Sequence, residues 1–193
     1  MDNFVSKICQ SCQFHLNNIR KFRKIFLDID TTHSLVQAFI TSRLDYYYCN
    51  SLLSGTPCYL IQRLQKVQNK AARLVLKQGY NVSSMSLLRE LHWLPIEKRI
   101  DFKIATQAFK CMNDLAPLYL SELLTKYIPT RNLRSSSLNL FTCPRTRTVF
   151  ENRAFSIMAP KLWNNFSINT RLSSNLTAFK KNLKTDFFRS VYS

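Results

Sequence analysis

Glycine is nearly absent, with only Gly55 and Gly79 in 193 residues. A Gly-rich phosphate loop therefore cannot be built, which excludes the nucleotide-binding enzyme folds that depend on one. Acids are scarce as well, eleven in all, with none between Asp45 and Glu90. Polymerases and nucleases place two metal ions with paired carboxylates, and no adjacent Asp pair occurs. The nearest approach, Asp28-Ile29-Asp30, suits the start of a helix, where carboxylates complement the positive end of the dipole. No catalytic residue and no small-molecule substrate are expected. No apolar run approaches the roughly 20 residues of a membrane helix. The first 25 residues are too polar for a secretory signal. The expected location is intracellular, nuclear or cytoplasmic, with Cys9, Cys12, Cys49, Cys58, Cys111 and Cys143 as reduced thiols.

What is present is core-forming material and positive charge. The chain is 46% hydrophobic and 12% aromatic, so it is no disordered tail, and its net charge is +17. The excess is spread out: after Glu122 only Glu151 and Asp186 stand against twelve Lys and Arg. Such a chain binds polyanions at low salt, nucleic acid being the first candidate and an anionic membrane surface the second.

The strongest single pattern runs from Tyr59 to Lys77. Arg63, Lys66, Lys70, Arg73 and Lys77 recur at steps of three and four and fall within an arc of roughly 80° on a helix. Leu60, Leu64, Val67, Ala71 and Leu74 form an apolar stripe about 100° away, and Gln62, Gln65 and Asn69 fill the remaining side. A solvated face usually mixes signs, because Glu to Lys pairs at four-residue spacing add a few tenths of a kcal/mol. Five like charges in line repel one another, which points to an anionic partner.

The rest reads as mostly helix, about seven in all. A first helix carries Phe4, Ile8, Cys12, His15 or Leu16, Ile19 and Phe22 on its apolar side, with Arg20 and Arg23 off it, and ends near Phe26. Thr31 or Thr32 caps a second through Leu35, Val36, Phe39, Ile40 and Leu44, and Gly55-Thr56-Pro57 opens the basic helix. Ser83 or Ser84 starts a short helix, and Pro95 the first turn of a longer one through Ile100, Ile104 and Cys111. Leu118 to Lys126 is a shorter helix. From Thr130 to Val149 the period vanishes, leaving a basic loop or short hairpin with Arg131, Arg134, Arg145 and Arg147. Arg153 to Phe166 returns to helix, interrupted at Pro160, and a last helix runs through Leu176, Phe179, Leu183 and Phe187.

Cys9, Cys12 and His15 share one helix side with ligand-like spacing, but no fourth ligand is evident and a thiol on an apolar face packs as a small hydrophobe. His33 and His92 are lone histidines whose expected role is packing. No metal and no cofactor are expected.

Several blocks resemble the C-terminal region of LINE-type, non-LTR retrotransposon reverse transcriptases of the Jockey and chicken-repeat kind. They are Thr41-Ser42-Arg43-Leu44-Asp45-Tyr46, Cys49-Asn50-Ser51-Leu52-Leu53, Gly55-Thr56-Pro57 and Ile61 to Asn69. Leu91-His92-Trp93-Leu94-Pro95, Leu133-Arg134-Ser135-Ser136-Ser137 and Ala159-Pro160-Lys161-Leu162-Trp163-Asn164 follow in the family's order. Two departures are the triple Tyr46-Tyr47-Tyr48, where the family has one tyrosine, and Phe166-Ser167 in place of Leu-Pro. The resemblance implies a thumb and the helical region beyond it, from a longer RNA-directed DNA polymerase whose catalytic residues match no position here. On that view residues 1–128 form a thumb-like helical region and 129–193 a basic loop with C-terminal helices, together one compact unit.

The expected function is non-catalytic binding of RNA or an RNA/DNA hybrid through phosphates, with the upstream polymerase domain as a further partner. Arg63, Lys66, Lys70, Arg73 and Lys77 are the first-choice contacts, and Arg131, Arg134, Arg145 and Arg147 the second. A helical protein-interaction module and a transposon remnant without present function are the rival readings.

Overall fold

A computed structural model describes residues 2–23, 27–46, 55–129, 139–148 and 151–192. Among these the protein is mostly helical, as expected, and its sole β pairing is an isolated antiparallel bridge between Lys126 and Phe141. No described helix is long and apolar enough to cross a membrane. The chain divides into two compact units, one up to Arg99 and one from Ile100 to Val191.

The first unit is built around α4 (Cys58–Leu76), the basic helix, which packs against α1 (Asp2–Arg23), α2 (Ile29–Val36) and α5 (Ser84–Glu90). The predicted stripe of Leu60, Leu64, Val67, Ala71 and Leu74 is buried, and Ala72 and Val75 widen it. A third side, expected to be merely polar, is used too. Gln68 is buried and donates to the Leu94 carbonyl at 2.9 Å, while Gln65 Oε1 accepts the Ile96 N–H at 2.9 Å. That amide lies in the first turn of α6 (Ile96–Met112), whose N–H groups have no partner within the helix.

In α1 the buried row is Val5, Ile8, Cys12, Leu16, Ile19 and Arg23. The expectation that Phe22 lies inside and Arg23 outside is reversed: Phe22 is 61% exposed. The step of four from Ile19 continues the stripe, and the guanidinium at its end finds a carbonyl of α4 that an aromatic ring could not satisfy. Asp28, three residues before the expected cap, starts α2: its Oδ1 accepts the Thr31 N–H at 3.0 Å. Hydrogen bonds from Thr31 hold its carboxyl below the ordinary carboxylate range. Helix α2 continues through a π turn (Gln37–Thr41) into α3 (Ser42–Tyr46), where Asp45 takes a two-pronged ion pair from Arg99. Tyr47, Tyr48 and the Cys49 to Leu53 block lie outside the described residues.

Cys12 packs as expected, and burial pushes its thiol up to about 11. His15 stacks on Phe39, with ring centres 5.1 Å apart, and His33 stacks on Trp93 at 5.8 Å. Among the described residues no three His, Cys, Asp or Glu are placed to hold a metal.

In the second unit the helix expected from Leu118 to Lys126 is only one turn, α7 (Leu118–Ser121), because the backbone beyond it pairs with residues 140–142 instead. Tyr127 N–H donates to the Leu140 carbonyl at 2.8 Å and Thr142 N–H to Thr125 at 2.9 Å. Helix α8 (Phe155–Asn164) runs through Pro160 without the expected interruption. The ring removes one bond, to the Ser156 carbonyl, and is itself buried. Trp163 and Asn164 pin the paired segment: the indole donates to the Asn139 carbonyl at 2.6 Å, and the Asn164 amide brackets Phe141 N and O at 3.0 and 2.8 Å. After α9 (Ile168–Arg171), α10 (Leu176–Tyr192) completes an aromatic core in which Phe179 stacks on Phe109 at 4.5 Å and on Trp163 at 5.7 Å.

Candidate nucleic-acid interface

The contacts between α1 and α4 step in the same direction along both helices. Arg63 pairs with Asp2 at 2.7 Å and donates to Ser6 Oγ at 2.9 Å; Lys70 donates to Gln13 at 3.0 Å; Arg23 donates to the Val75 carbonyl at 2.6 Å. The helices are therefore parallel, and their carboxyl ends meet. Two like dipole ends side by side repel, and each amounts to about half a negative charge.

At that shared end lies a cleft of about 530 Å³ lined by Arg20, Arg23, Lys70, Arg73, Leu74, Lys77, Gln78 and Tyr80. The bland reading is that its cations only neutralise the helix ends. The magnitudes decide against it: two half-charges make about one negative charge, against five cations and no carboxylate among the described lining residues. A surplus of about four positive charges faces the cleft.

Each cation is held differently. Arg73 is spent on the α4–α5 loop, donating to the carbonyls of Gly79 (2.7 Å) and Val82 (2.8 Å) and to Ser84 Oγ (2.9 Å). Its guanidinium also lies 5.1 Å from the ring centre of Tyr80, which is 79% exposed. One ring face is thus covered and the other open. Lys77 closes α4 in the left-handed region (φ 53°, ψ 35°), and Gln78 N–H reaches back to Arg73 O at 3.2 Å. Arg20 and Lys77 are exposed. Arg23 is only 7% exposed, and its Nε has no hydrogen-bond partner among the described residues. Burial lowers its pKa, and leaving a buried donor unmet costs about 1–3 kcal/mol.

The predicted line is therefore divided. Lys70, Arg73 and Lys77 meet in the cleft, Arg63 is tied to α1, and Lys66 is exposed farther along the helix. Arg145 and Arg147 belong to the second unit, both exposed, the main chain of Arg147 donating to Glu151 at 3.0 Å. Arg131 and Arg134 lie outside the described residues. Sequence reasoning missed Arg20, Arg23 and Tyr80 as partners of α4. A signal existed in the three-residue spacing of Arg20 and Arg23 at the end of α1.

Comparison with protein-family models, curated proteins and solved structures found no match to the chain.

Proposed function

We propose that the chain is a non-catalytic, nucleic-acid-binding segment, akin to the thumb and downstream region of a LINE-type reverse transcriptase, that holds RNA or an RNA/DNA hybrid by its phosphates. The upstream polymerase domain is its natural partner in that reading. The observation that carries it is the cleft where α1 and α4 end together, lined by five cations and, among the described residues, by no acid, with Arg20, Lys66 and Lys77 exposed around it and along α4. Cations in such a groove bind phosphates without reading sequence.

Geometry selects the test. Arg63, Lys70 and Arg73 also hold helices and a loop, so replacing them confounds binding with folding. Arg20→Gln, Lys66→Gln and Lys77→Gln together remove three exposed charges. In a fluorescence-anisotropy salt series on a labelled RNA/DNA hybrid, the log–log slope should flatten by up to about 2.7, at roughly 0.9 per contact for B-form and less for other forms. An unchanged slope and affinity would remove the reading.

A second reading, a protein-docking module, has its own observation in the second unit. Leu115, Leu118, Tyr119 and Ile128 are 61%, 74%, 68% and 84% exposed within fourteen residues of chain. Clustered apolar exposure of this kind marks interaction surfaces.

A further inference from the structure

We propose that the cleft at the joined ends of α1 and α4 takes one unpaired nucleotide of a strand, its phosphate on Arg20, Lys70 and Lys77 and its base on the open face of Tyr80. This rests on the phosphate-binding reading above and narrows it from nucleic acid in general to an unpaired end or overhang.

Three features of the site converge on it. A volume of about 530 Å³ lies in the range of small-ligand sites, about 300–1,000 Å³, and is enough to accommodate one nucleotide. Among the described residues Tyr80 is the one aromatic in the lining, and Arg73 against one of its faces orients the ring so that a base on the other face completes a three-layer stack. Arg23, more than nine-tenths buried, lines the same space with Nε unpartnered among the described residues. That Nε is itself covered by protein, so Arg23 acts on an anion in the cleft through its charge and not through a hydrogen bond from that atom.

The three contacts differ in what they can give. Lys70 uses one ammonium hydrogen on Gln13 and keeps two. Arg20 and Lys77 are exposed and commit none to the described residues. A bare phosphate would use these cations and leave the ring idle, so the ring is the part that distinguishes a nucleotide from any other anion.

The test compares a blunt RNA/DNA hybrid with the same hybrid carrying a short overhang ending in 2-aminopurine. Wild-type protein should bind the overhang about tenfold more tightly, as stacking one base on an aromatic ring allows, and should quench the 2-aminopurine. Tyr80→Ala should abolish both effects while leaving blunt-hybrid affinity within about twofold, and Tyr80→Phe should restore them, since the ring and not its hydroxyl does the stacking. Because Tyr80 is 79% exposed, its truncation should leave the fold intact, which the circular-dichroism spectrum of the variant checks. Equal binding of the two probes, or equal loss of both in Tyr80→Ala, would overturn the nucleotide cleft and leave phosphate binding standing. Failure of the protein to bind either probe would instead overturn the phosphate reading, and this inference with it.

Discussion

Lys77 occupies a position that ordinarily belongs to glycine. A side chain in the left-handed region costs about 1–2 kcal/mol, and the unfolded chain gives back roughly half of that when glycine replaces it. Lys77→Gly should therefore raise the urea midpoint by an equivalent of up to about 1 kcal/mol while weakening hybrid binding. Stability and affinity moving in opposite directions would mark the lysine as kept for its charge. If both fell together, Lys77 would be a structural cap only. The scarce acids show the complementary logic: Asp2, Asp28 and Asp45 are each committed to an ion pair or a helix start, and none of the three lines the cleft.

Helix α4 is enclosed on three sides, and each side uses a different kind of contact. Its leucines and alanines form the core, Arg63 and Lys70 reach along α1, and Gln65 with Gln68 secures the entry to α6. The glutamine contact is the least replaceable, because Gln68 is buried to 2% exposure and its amide also accepts from Gln65 at 2.9 Å. Gln68→Ala should cost about 1–3 kcal/mol, the usual penalty for stranding buried polar groups, measured as a shift in chemical unfolding without change in slope. A loss below about 0.5 kcal/mol would mean that water replaces the amide.

At the level of the entire chain, a net charge of +17 opposes compactness. Raising salt from about 0.01 to about 0.15 M shortens the Debye length from roughly 30 to 8 Å, so the thermal midpoint of the free protein should rise over that interval. A falling midpoint would show that its ion pairs outweigh the repulsion. Bound polyanion should stabilise in the same sense and lose its effect as salt competes for the cations.

Helical class, the bounds of α4 within a residue or two and its buried stripe were legible from the sequence, because helical periodicity is a local property that successive side chains display. The same is true of the acid-free basic line. Which cations stay free was decided by tertiary structure. Arg63 and Lys70 meet partners 61 and 57 positions away, and Arg23 meets Val75 across 52. Periodicity gives a helix its faces but does not say what lies against them. The parallel docking of α1 on α4 turned Arg23 inward in place of Phe22, brought two carboxyl ends together and gathered cations from both helices around Tyr80. A cleft assembled from residues 20 to 80 has no signature in any one stretch, because the charges that create it come from segments that are neighbours only once the chain has folded.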